Sequence, residues 1–211
     1  MKKYFTLILK DLVLMKNYVI FTAVIIVVMP LLLVGLGSTA FTATYMFALY
    51  STAQSLAYYE AKYRGAETVL NSAPYSRQSI VISRYVFYLL VYAVTLAIYA
   101  AMSLIIPPLT QIGVVDMAVA LFAGSVLTGF LQPLNYKFGI NKTRYISVFV
   151  MVCIGIAFPF IADAVEDGNA VTDFIGKLSP ALVGGLTLLL TVIIYVASAI
   201  ISVAVYKKKE F

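Results

Sequence analysis

The sequence has 211 residues, 63% hydrophobic and 11% charged, with a mean hydropathy of +0.99. An ordinary globular domain carries about 25% charged residues, so the composition excludes a soluble domain and identifies an all-α polytopic membrane protein. The net charge of +6 includes no His and one Cys, which excludes an intrachain disulfide and points away from zinc or haem.

At about 20 apolar residues per span the chain has room for five to seven helices and no separate soluble domain. Over residues 2–17, Lys3, Thr6, Lys10 and Asn17 share one side of a helical wheel, and Phe5, Ile8, Leu12 and Met15 the other. This pattern predicts a helix over 2–16 lying in the membrane interface. Lys10, Asp11 and Lys16, and the lack of a small-x-small cleavage site, argue against a signal peptide. Apolar runs then predict six spans, at about 18–37, 39–57, 79–106, 113–132, 145–163 and 181–206. The first two are joined by Gly-Leu-Gly-Ser at 35–38, the third and fourth by Pro107-Pro108, and the fourth and fifth by the loop PLNYKFGINKTR at 133–144. Cys153 lies inside the fifth apolar run. Residues 164–180 are too broken for a span and too apolar for a free loop, as in an outer re-entrant or surface segment.

Lys and Arg set the orientation. The N-terminus, the 58–84 segment, the 133–144 loop and the C-terminus together hold 14 of the 15 basic residues, leaving Lys177 for the opposite face. That face carries Asp116, Asp163, Glu166, Asp167 and Asp173. Both termini are therefore expected in the cytoplasm, and the sequon at Asn141 is a chance match. With no targeting signal, the expected location is a bacterial plasma membrane.

No Asp, Glu, Lys or Arg lies deep inside a predicted span, as ion-coupled carriers usually require. Without His, nearly all nucleophile–base or metal constellations of an intramembrane hydrolase are gone. No G-x-x-x-x-G-K-[ST] loop occurs, so the chain is not expected to be an enzyme and any work it performs is driven from outside.

The second span is unusually polar. Ser38, Thr42, Tyr45 and Thr52 form a narrow stripe, with Thr44, Tyr50, Ser51, Gln54 and Ser55 beside it. Such a stripe lines a conduit or packs helices through small and hydroxyl residues, and the sequence leaves both open.

Between the second and third spans lies YYEAKYRGAETVLNSAPYSR, residues 58–77. Ala66, Val69, Leu70 and Ala73 cluster on one face of a short helix, opposite Arg64, Glu67, Thr68 and Asn71. Pro74 ends it and Ser76 can cap the third span, which starts at Arg77. Read alone, the segment could be a solvated or membrane-skimming connector. The stretch GAETVLNSAPYSRQSIVISRY in this position resembles that of type-two ABC export permeases of a small six-span bacterial subfamily, and the interfacial helix, six spans and short outer loops extend the resemblance over nearly the whole chain.

The resemblance implies that 60–77 is a coupling helix seated in a groove of a separate ABC ATPase subunit, present in two copies and binding the ATP and Mg that this chain does not. The implied contact surface is Tyr63, Arg64, Glu67, Thr68 and Asn71, with Pro74, Ser76 and Arg77 passing motion into the third span. Lys137, Lys142 and Arg144 are a second contact candidate or ordinary inside-facing charge. Six spans are half a transporter in that family, so a homodimer or a pair with a related permease is implied, with the second and fifth spans flanking the path. Lipid is the surrounding partner and nucleic acid is not expected. The subfamily is associated with export of amphipathic or antimicrobial peptides. Lipid or small drugs are alternative cargoes, and an ion-coupled carrier or membrane scaffold without an ATPase is the alternative function.

Overall fold

The computed structural model describes residues 2–37, 39–62, 76–107, 109, 111–166 and 179–208. They form helices α1 (Lys2–Leu14), α2 (Lys16–Leu32), α3 (Thr39–Lys62), α4 (Arg77–Ile105), α5 (Val114–Gly139), α6 (140–166) and α7 (Pro180–Lys207), with a 3-10 turn at Val34–Leu36. Among the described residues there is no strand. Most of the sequence-predicted coupling segment 60–77, and residues 167–178 of the outer segment 164–180, lie outside the described residues.

Helices α4, α5 and α7, at 29, 26 and 28 residues, are long and apolar enough to cross a membrane, which makes the chain a multi-pass membrane protein. Residues Phe5–Leu14 and Tyr18–Leu32 meet at 89° and count as a fourth crossing if the bent pair is one span. By length and composition the described residues thus give three clear crossings, or four, where the sequence predicts six. Helix α2 has 17 residues, short of the usual span of about 20. Helix α3 has 24 residues, but its Thr, Tyr, Ser and Gln side chains dilute its hydropathy.

Local chemistry sets the helix ends. Gly37 reverses the chain between α2 and α3 at φ 57° and ψ −131°, a conformation open essentially to glycine. Ser76 caps α4, its Oγ accepting from the Ser79 amide at 3.2 Å. Asp116 reaches back from the first turn of α5 to accept from the Gly113 amide at 2.9 Å, the carboxylate half of a capping box. Ser179 caps α7 and Pro180 occupies its first turn, where the missing N–H costs nothing.

The expected loop at 133–144 is instead helical, broken only at Gly139 (φ 71°, ψ 173°). Pro133 does not end α5. Proline lacks the N–H that would bond the carbonyl four residues back, and here the Ser198 hydroxyl of α7 donates to that carbonyl, Gly129 O, at 3.1 Å. Ser198→Ala should therefore orphan a buried carbonyl and lower stability by about 1 kcal/mol. In a Pro133→Ala background, where the amide can close the bond itself, the same substitution should cost less. Thermal unfolding of the four variants in detergent tests this cycle, and equal costs in both backgrounds would refute it.

The interior is aromatic. Phe41 and Tyr45 of α3 meet Tyr92 and Tyr99 of α4 edge to face, with Tyr45–Tyr92 centroids 5.1 Å apart and Phe41–Tyr99 centroids 5.3 Å apart. The Tyr92 hydroxyl donates to the Met117 carbonyl of α5 at 3.0 Å. Helix α7 packs along the α5–α6 unit. The apolar side predicted for α1 is split: Ile8 and Met15 are buried, Leu12 is half-buried, and Phe5 faces outward with Leu9 and Val13. Packing against α4 turns Leu7, Ile8, Asp11 and Met15 inward, and this face includes a charge the wheel alone did not place there.

Candidate functional site

Of the sequence-predicted coupling residues, Tyr63, Arg64, Glu67, Thr68, Asn71 and Pro74 lie outside the described residues. Ser76 and Arg77 are placed. Arg77 Nη1 donates to the Lys207 carbonyl at 2.8 Å, a cation on the orphan carbonyls at the C-terminus of α7. One residue thus ties the start of α4 to the end of α7.

The tie continues into the bundle. The Tyr85 hydroxyl lies 2.6 Å from Ser198 Oγ and 2.8 Å from Ser202 Oγ, both on α7. The Arg84 guanidinium stands 5.2 Å from the Tyr136 ring of α5. Tyr136 in turn meets Tyr206 of α7 at 5.0 Å. On the next turn Gln132 bonds the Tyr88 hydroxyl. Arg77 and the first turns of α4 are thus linked to α5 and α7 through polar and aromatic contacts.

Arg84 is only 6% exposed and Asp11 only 1%, with Lys10 Nζ 2.8 Å from Asp11 Oδ1. By charge counting Arg84 is one more inside-facing cation. Its place inside the bundle is hinted at only by its position in the second turn of an apolar span, directly before Tyr85. Asp11 carries no such hint.

The stripe expected to line a conduit divides. Tyr45 is buried against Tyr92, and its ring closes onto Gly124 of α5. Thr52 is buried, donates to the Ala48 carbonyl at 2.7 Å, and touches a small apolar hollow of about 190 Å³ between α1, α2, α3 and α4. Thr42 is half-buried and Ser38 lies outside the described residues. Packing is therefore the role that the geometry gives Tyr45 and Thr52.

The neighbours of that stripe open onto a larger space. Tyr50, Ser51, Gln54 and Ser55, with Phe47 and Tyr58, form the α3 wall of a groove of about 670 Å³. Tyr18, Phe21 and Ile25 of α2 and Arg144 and Val148 of α6 complete it. Its polar wall is braced by Ser147 of α6, which accepts from Gln54 Nε2 at 2.8 Å and lies 3.3 Å from the Tyr50 hydroxyl. Phe47, Tyr50, Ser51, Gln54 and Tyr58 recur at helical spacing, the signal by which the sequence could have located this face. The groove combines aromatic walls, hydroxyls, an amide and one cation, a set suited to holding an amphipathic molecule. Among the described residues no three His, Cys, Asp or Glu side chains converge as metal ligands.

Compared with known proteins, the chain matches no curated protein and no solved structure. A family model described as "ABC-2 family transporter protein" matches residues 6–207, nearly its whole length.

Proposed function

The chain belongs to the ABC-2 family of transporter proteins, and from that premise we propose that it is the permease half of an ATP-driven exporter of amphipathic peptides. A permease of this family is a membrane transport component that works with an ABC ATPase. The finer assignment is ours: six crossings, α1 in the interface, both termini in the cytoplasm of a bacterial plasma membrane, and two permease chains on two ATPases. The coupling surface is Tyr63, Arg64, Glu67, Thr68 and Asn71, with Pro74, Ser76 and Arg77 setting the angle of transmission. ATP and Mg are bound by the partner. A cargo path flanked by α3 and α6 would include the groove, with Thr42 at its margin.

The observation that carries this reading is the family match over 6–207. It is supported by the bond from Arg77 to Lys207, which lets a push on residues 60–77 move α4 and α7 together. Lipid or small-drug cargo would use the same path.

The test is co-purification of the tagged chain with the ATPase encoded beside it. Equal amounts of permease and ATPase, at a mass fitting two of each, are expected. A permease that always purifies alone, or transport that survives ATP depletion and stops with the ion gradient, would overturn the reading.

A further inference from the structure

The groove between α2, α3 and α6 carries a charge as well as an apolar shape. Among the described residues its lining holds one cation, Arg144, and no carboxylate. Arg144 is exposed, whereas the Lys10–Asp11 pair of α1 is already matched within the chain. A guanidinium offers a planar fork of donors that fits a carboxylate or phosphate. Beside it, Tyr50 and Gln54 are held in place by Ser147, so the polar wall is pre-set. Along the rest of the groove Phe21, Ile25, Phe47 and Val148 give an apolar track. A volume of about 670 Å³ suits a small amphiphile, since ligand pockets run from about 300 to 1,000 Å³.

We infer that this groove binds a single-chain amphipathic anion, its acid group on Arg144 and its apolar tail along Phe21, Ile25, Phe47 and Val148. The inference rests on the permease reading and narrows the cargo to molecules with an anionic end. A cationic amphiphile would set a like charge against Arg144, with no acid among the described lining residues to offset it.

The experiment uses the purified full chain in neutral detergent and three fluorescent probes of equal chain length: dansyl-undecanoate, its methyl ester, and a quaternary ammonium counterpart. The anion should bind about tenfold more tightly than the ester, the scale of one charge-assisted contact. Arg144→Gln should erase that difference and leave ester binding unchanged, whereas Arg144→Lys should keep part of it. Val148→Trp, which fills the tail track, should weaken both probes. Thermal midpoints confirm that each variant is folded.

Equal binding of ester and anion, tighter binding of the ammonium probe, or a preference that persists in Arg144→Gln would overturn the inference. So would no binding of any probe, as when a second copy of the chain fills the groove. Because the assay needs no ATPase, it fails separately from the permease reading. Anion preference in a chain that never captures an ATPase would leave the site standing and remove the exporter. A complete complex without anion preference would do the reverse.

Discussion

Gly124→Val should strongly destabilise the folded protein. A Cβ at residue 124 would lie 2.7 Å from the Tyr45 hydroxyl oxygen and 2.9 Å from Cζ, closer than real Cβ contacts come. The Tyr45 ring has no room to swing, because it is 1% exposed and packed edge-on to Tyr92. Overpacking of this kind costs about 3 kcal/mol or more, far above the few tenths expected for a lipid-facing substitution. The thermal midpoint in detergent should fall by roughly 10 °C for a chain of this size. Tyr45→Leu in the same chain removes the clashing ring atoms and should restore part of the loss. A Gly124→Val protein as stable as the parent would mean that α3 and α5 do not meet here.

Glu67→Arg should abolish ATP-driven transport while leaving folding and membrane insertion intact. Residue 67 belongs to the polar face that the resemblance to ABC export permeases implies is the ATPase-docking surface, where a reversed charge costs several kcal/mol. Association should weaken on the order of a hundredfold. Three measurements on one preparation check this: the amount of co-purified ATPase, its ATP turnover and the thermal midpoint. Loss of the first two with an unchanged midpoint is the expected result. Normal transport would demote residues 60–77 to a connector and move attention to Lys137, Lys142 and Arg144.

Much of the local structure was legible because it depends on neighbours in sequence. Ser76 before Arg77, Ser179-Pro180, and the glycine turn at 37 are short-range signals, each realised as a helix end or a chain reversal. The apolar runs at 79–106, 113–132 and 181–206 overlap α4, α5 and α7, with α5 continuing seven residues past the run to Gly139, since hydropathy over a span is a sum along the chain. Pro133 misled for a related reason. Proline signals a break when its neighbours are considered alone, but the carbonyl it leaves open is satisfied by Ser198, 69 residues further on.

The candidate site was legible only to its approximate address. The resemblance implied that the second and fifth spans flank a path, and the polar second span marked α3; the groove found has walls on α3, α6 and α2. It could not assign the face, because the stripe through Tyr45 and Thr52 and the stripe through Tyr50, Ser51 and Gln54 differ by only a small rotation of one helix. Which stripe packs is decided by the partners: Gly124 and Tyr92 receive Tyr45, and Ser147 receives Gln54.

By itself the sequence determined a helical membrane protein, its main apolar runs and some of its helix caps, and a resemblance to ABC permeases that the family match upholds. Those properties follow from composition, run length and local motifs, all additive along the chain. Only the tertiary structure decided that Asp11 and Arg84 are buried, that Arg77 binds the end of α7, and that α2, α3 and α6 leave a groove whose described lining holds one cation. Each depends on how helices distant in sequence are rotated against one another, and that rotation is fixed by close packing and the pairing of buried polar groups rather than by hydropathy.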